Sequence, residues 1–287
     1  MTAPPAPFGS RLAAAVAERG PLVVGIDPHV TLLRDWGLGE DAAGLERFSL
    51  TVVEALADRV AVLKPQSAFF ERFGSRGIAV LERVLAGIRA AGALALLDVK
   101  RGDIGSTVAA YAGAYLDPTS PLAADAVTAS PYLGFGSLRP LLGAAYAHGA
   151  GVFVLALTSN PEGATVQLAT GPDGRTVAQR VLDDVAEANS AELAVTGGRL
   201  GSVGAVVGAT LGEHGHRLDH LRGPVLAPGL GAQGATAADL PRVYGPALPD
   251  VLPSVSREVL AEGPDVAALR SAADRLAGEL SAVLSSA

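Results

Sequence analysis

Leu97-Asp98-Val99-Lys100-Arg101-Gly102-Asp103-Ile104-Gly105-Ser106-Thr107 is the stretch on which the reading of this chain turns. It begins at the end of a β-rich apolar run, Leu94–Val99, and runs into a segment of helical spacing, Ile104–Tyr115. Four charged residues stand at the junction. Side chains alternate faces along a strand, so Asp98 and Lys100 point one way and Val99 the other. A carboxylate and an ammonium on one buried face need each other, because either alone in a low-dielectric site is costly. The spacing by itself fits a structural ion pair as well as a reactive site.

The same strand-then-helix pattern recurs on both sides. Apolar β-rich runs are read at Leu22–Ile26, Ala61–Leu63, Leu94–Val99, Ala126–Thr128, Gly151–Leu157, Val203–Val207, Pro224–Leu226 and Asp250–Pro253. Helices are expected at Glu40–Asp58, Ser75–Ala91, Ile104–Tyr115, Ser137–Ala147, Arg175–Leu193 and Glu213–Leu221, with a last one near Asp265–Leu284. Eight βα units without an intervening linker predict one α/β domain over residues 1–287, a (β/α)8 TIM barrel, rather than an open doubly wound sheet. In such a barrel the chemistry lies at the C-terminal strand ends. Polar residues appear where these apolar runs stop: Asp27, Lys64, Asp98 to Asp103, Thr128 to Tyr132, Thr158 to Asn160, and Ser256 with Arg257.

Composition narrows the chemistry further. At 287 residues and 49% hydrophobic content the chain can bury a large core. Its net charge of −7 speaks against a nucleic-acid partner. With no cysteine, there are no disulfides, thiolate metal sites or Cys nucleophiles. Arg11, Glu18 and Arg19 interrupt the apolar part of the N-terminal stretch, and His148 breaks the longest apolar run, Gly143 to Leu157. Neither a secretory signal nor a membrane span is expected, and the protein is placed in the cytoplasm. Of the 22 basic residues only Lys64 and Lys100 are lysine. An ammonium can release its proton near neutral pH where a guanidinium cannot, and both lysines fall at strand ends.

Asp98-x-Lys100-x-x-Asp103-Ile104-x-x-Thr107 resembles the central motif of the orotidine 5′-phosphate decarboxylase family, in its longer bacterial subgroup. Further matches follow in order: Val24 to Pro28, Leu63-Lys64-Pro65, Thr128 to Gly134, Thr158-Ser159-Asn160-Pro161, Ala227 to Gly234, and Ser254-x-Ser256-Arg257. The resemblance implies a cofactor-independent decarboxylase of orotidine 5′-monophosphate in pyrimidine biosynthesis. It implies a Lys64–Asp98–Lys100–Asp103 network in which Lys100 protonates the C6 carbanion, with Asp103 and Thr107 contributed across a homodimer interface. By the same resemblance Asp27 and Lys64 bind ribose hydroxyls, Ser159 the pyrimidine, and Gln233 with Arg257 the phosphate, Ser256 standing among the substrate-binding positions. The loop around Gln233 and the segment from Asn160 to Pro172 are candidates to close over substrate. In the family a second glycine commonly follows the glutamine-glycine pair, where this chain has Ala235.

Two other functions compete. A magnesium-dependent phosphosugar decarboxylase or aldolase of the same superfamily shares the Asp-x-Lys-x-x-Asp core but is expected to carry a carboxylate where Lys64 stands. A phosphate-binding barrel without activity would be expected to have lost a member of the charged cluster, and none is missing. Gly229-x-Gly231-x-x-Gly234 matches a dinucleotide-binding pattern in letters only, since it follows a very short strand in the seventh unit. Glu213-His214-Gly215-His216 with Asp219 and His220 lacks the spacing of helical metal ligands and reads as a solvated loop.

Overall fold

The computed structural model describes residues 5–232 and 234–284. Eight parallel strands close into a barrel in chain order: β1 (Val23–Ile26), β2 (Val62–Pro65), β3 (Leu94–Arg101), β4 (Ala126–Ala129), β5 (Gly151–Leu157), β6 (Val203–Val207), β7 (Val225–Pro228) and β8 (Val251–Val255). Pairing of β1 with β8 through Val23↔Ser254 and Val24↔Val255 completes the ring. All eight expected strands are present, each within one to two residues of its expected ends.

The sheet divides the apolar residues into two cores because its side chains alternate faces. Val62, Leu94, Leu96, Ala126, Phe153, Val206, Leu226 and Leu252 form one buried cluster with Phe8 and Leu12. Their outward neighbours, such as Leu63, Leu97, Val127, Val154 and Val207, join the larger cluster between barrel and helices. Two residues beyond the inward apolar set the same face turns polar. Val62 is followed by Lys64, Leu96 by Asp98, Ala126 by Thr128 and Leu252 by Ser254. The interior is thus a packed apolar floor under a polar mouth.

The floor is closed by a helix that the sequence reading did not assign, Phe8–Arg19. Phe8 is 2% exposed and meets Phe153 edge to face at 6.0 Å. Arg11 pins this helix to the barrel base, its guanidinium donating to Asp125 at 2.6 Å and to the Gly149 carbonyl at 2.9 Å.

Helices Ala42–Leu56, Gly74–Ala90, Gly105–Leu116, Arg139–His148, Val177–Thr196 and Val266–Leu284 lie close to their expected positions. Glu213–Leu221 does not form a helix. Gly212 and Gly215 adopt φ of 63° and 69°, which breaks helical propagation, and the segment from Glu213 to His220 runs as irregular chain. The segment is a loop with Glu213, Gly215, Arg217 and Asp219 exposed to solvent, and its other face docks on helix Val177–Thr196. His216 Nε2 lies 2.8 Å from the Thr176 hydroxyl, His220 Nε2 lies 2.9 Å from Asp183, and the Arg217 N–H donates to Gln179 at 2.9 Å. Burial holds the imidazoles of His214 and His216 below the ordinary histidine value. Among the described residues no three His, Asp or Glu side chains converge as a metal site requires.

Candidate active site

The polar mouth encloses a cavity of about 240 Å³, lined by Asp27, Lys64, Gln66, Asp98, Lys100, Thr128, Thr158, Ser159 and Ser254 over an apolar base that includes Leu155, Val206 and Leu226. Asp98 is at its centre. The carboxylate is 9% exposed and accepts from the Lys100 ammonium at 2.7 Å on each oxygen. It also accepts from the Thr128 hydroxyl at 2.7 Å, and the Lys64 ammonium lies 3.5 Å away. Burial opposes the charge on Asp98, but Lys64, Lys100 and the hydrogen bonds from Lys100 and Thr128 outweigh it and hold its pKa at about 2. Burial likewise works against the Lys64 ammonium. The carboxylates of Asp27 and Asp98 overcome it and hold that pKa above the ordinary lysine value.

The charges therefore alternate along Asp27, Lys64, Asp98 and Lys100. The two lysines differ in access: Lys64 is buried in the wall, whereas 46% of the Lys100 side chain is exposed to the cavity mouth. Regular alternation does not by itself place Lys100 over Asp98. Leu97 pairs with Val127 and Arg101 with Ala129, so Asp98, Val99 and Lys100 together face the single residue Thr128. The bulge puts Lys100 in the left-handed region with φ of 46°, one of two non-glycine residues there among those described. This turn folds the Lys100 side chain back onto the carboxylate two residues earlier.

Other expected site residues divide into three groups. Ser159 lines the cavity with Asp27 and the charged trio. The Ser256 hydroxyl and one Asp27 carboxylate oxygen are buried and have no hydrogen-bond partner. Both side chains close over Gly25, where a Cβ would come within 3.0 Å of Ser256 Oγ and 2.9 Å of Asp27 Oδ2. Orphaned polar atoms on two side chains that both close over Gly25 are suited to hydroxyl groups of a ligand. Asp103 and Thr107 stay outside this cavity: the Asp103 carboxylate accepts the Ile104 N–H at 2.8 Å, and Thr107 is exposed on helix Gly105–Leu116. Arg257 is exposed on the first turn after β8, and Gln233 lies outside the described residues. The loop after β7 packs against that turn, since a Cβ on Gly231 would collide with the Glu258 carboxylate. Ala235 fits the loop because the left-handed positions there are Gly229, Gly231 and Gly234, and the Ala235 carbonyl accepts the Gly231 N–H at 2.8 Å.

From the sequence, Thr128 and Thr158 stood only among the polar strand ends and Ser254 only within a matched motif, with no role given to any of them, and Gln66 was not noted. Each stands at or just past a strand end. Inward register relative to Ala126 and Leu252 is the signal that would have found Thr128 and Ser254.

A closed eight-stranded βα barrel with an alternating charge array at the carboxyl ends of β1, β2 and β3 defines the class of (β/α)8-barrel proteins whose candidate active site lies at the C-terminal strand ends. The sequence places the chain within that class. Residues 20–272 match the family model described as orotidine 5′-phosphate decarboxylase / HUMPS family. An orotidine 5′-phosphate decarboxylase of Salinispora tropica is 66% identical over 96% of this chain and 98% of its own length. The enzyme of that name from Streptomyces coelicolor is 63% identical over 96% and 97%. Among solved structures, a Streptomyces avermitilis protein assigned the same activity superposes with a TM-score of 0.94 at 62% identity, covering 98% of this chain and 97% of its own. The chain belongs to the orotidine 5′-phosphate decarboxylase / HUMPS family.

Proposed function

We propose that the chain converts orotidine 5′-monophosphate to uridine 5′-monophosphate and carbon dioxide, with Lys100 as the catalytic acid. The observation that carries this reading is the Lys100 ammonium held on both oxygens of a buried Asp98, at the open side of the cavity. The substrate carboxylate is set against Asp98, and the C6–carboxyl bond breaks with its electron pair left on C6. The Lys100 ammonium, already in place, stabilises that charge and then gives C6 its proton; the amine regains one from solvent. A site preorganised for the transition state needs little rearrangement as the charge develops.

Asp27 and Lys64 hold the ribose hydroxyls, with Ser256 adding a buried hydroxyl beside Asp27. Ser159 contacts the pyrimidine. Gln233 and Arg257 take the phosphate, supported by the contact between the loop after β7 and the turn after β8, and Arg257 is free of other partners among the described residues. Asp103 and Thr107 act in the site of a second copy. Support for such a homodimer is an exposed apolar set, Ile104 beside them in the chain and Tyr132 and Leu133 on the loop after β4, at 62%, 78% and 52% exposure, the two loops touching where Gly102 meets Ser130. Residues 1–287 are taken as one catalytic domain working in the cytoplasm; among the described residues no helix is long and apolar enough to cross a membrane.

The magnesium-dependent phosphosugar chemistry within the same family is disfavoured by Lys64, whose buried ammonium would repel a cation from this cavity. The test is to follow the ultraviolet band of orotidine 5′-monophosphate with chelator-treated protein. Loss of the band without added metal is expected; an unchanged band, or turnover only after magnesium is restored, overturns the reading.

A further inference from the structure

The β3–β4 ladder has a mismatch at the charged tip, where three residues of β3 face one residue of β4, and that one residue is Thr128. Its hydroxyl fills the gap in two directions. It accepts the Lys100 main-chain N–H at 2.9 Å and donates to Asp98 Oδ1 at 2.7 Å. The polarity is forced: an N–H can only donate and an ionised carboxylate can only accept, so one group must do both, as a hydroxyl can. Thr128 is 1% exposed, which leaves little room for water to take over either bond. Branching at Cβ restricts the hydroxyl to few rotamers.

We infer that Thr128 is a positioning residue for the decarboxylation, locking the left-handed main chain of Lys100 and the carboxylate plane of Asp98 with a single hydroxyl so that the ammonium stands over the reacting carbon. The inference rests on the reading of Lys100 as proton donor. Without the hydroxyl, the Lys100 N–H is left unsatisfied and the strained φ of 46° loses its tether. The side chain then relaxes away from Asp98, and a misplacement near 1 Å of a reacting group costs on the order of a hundredfold in rate. The other residues lining the cavity are unchanged, so binding is spared.

Steady-state kinetics on Thr128→Val, Thr128→Ala and Thr128→Ser test this, with the folded fraction of each measured by circular dichroism and binding of uridine 5′-monophosphate by calorimetry. Val and Ala are expected to lower kcat per folded enzyme by about 10- to 100-fold with KM within about threefold of wild type, and Ser to stay within about threefold of wild-type kcat. Ala carries the comparison should Val not fold. A hydroxyl-free variant with wild-type kcat overturns the inference. So does a Ser variant as slow as Val, or a loss confined to KM. Absence of turnover in the wild-type protein is a different result, and overturns the functional reading together with it.

Discussion

Lys100 Nζ lies 2.7 Å from both carboxylate oxygens of Asp98, two residues earlier on the same strand. In a regular strand, residues two apart share a face but their side chains run roughly parallel. The left-handed turn at Lys100 brings them tip to tip. Asp98 therefore spends its hydrogen-bonding capacity inside the site, leaving the ammonium fixed before any substrate arrives.

Replacement of Lys100 with Ala should remove turnover while preserving nucleotide binding. Loss of a preorganised charge aimed at the transition state costs on the order of a hundred- to a thousandfold, and loss of the proton donor adds to it. Product release assays paired with calorimetric binding of uridine 5′-monophosphate give the comparison; near-wild-type decarboxylation in this variant removes Lys100 from the mechanism.

Asp98 should make the protein acid-sensitive. Its folded pKa of about 2 lies below the ordinary value of 3.8, so its contribution is complete above about pH 4 and is lost as pH falls through about 2. The amount is roughly 2 kcal/mol. Urea unfolding between pH 5 and pH 2 measures it. In Asp98→Asn this acid-linked loss should be absent, and stability at neutral pH should fall by about 3 kcal/mol because the buried Lys64 loses a counter-charge. An Asn variant with the wild-type pH profile would show that another group sets it.

Phe8→Ala should destabilise the barrel by about 3–5 kcal/mol, since a nearly buried ring that meets Phe153 edge to face is taken from the floor. Denaturant midpoints report the change. The kinetic constants of the folded fraction should stay close to wild type, the floor being at the end of the barrel opposite the site.

Tyr132→Glu places a charge in the exposed apolar set and should convert the proposed dimer to monomers at micromolar concentration, read by light scattering. Activity should fall with it, because Asp103 and Thr107 would be lost to the partner site. A variant that is monomeric and fully active would mean that one copy holds a complete site.

Much of the architecture was legible because its determinants are local. Strand periodicity and the punctuation between βα units located all eight strands within one or two residues, and charged residues at strand ends marked the mouth. Glu213–Leu221 was misread because helical composition gave no weight to Gly215, and the packing that holds the segment comes from Thr176, Gln179 and Asp183, more than 30 residues away in the chain. The Phe8–Arg19 helix was passed over for a related reason. Its purpose appears only when Phe153 lies above it.

By itself the sequence determined the succession of eight βα units, the face that Asp98 and Lys100 would share, and the scarcity of lysine that made Lys100 conspicuous. Those properties follow from residue type and spacing along the chain. Only the tertiary structure decided that Lys100 turns left-handed and that Thr128 bridges it to Asp98. Both depend on the register between β3 and β4, and that register is set by the closure of the whole ring, to which no single segment holds the key.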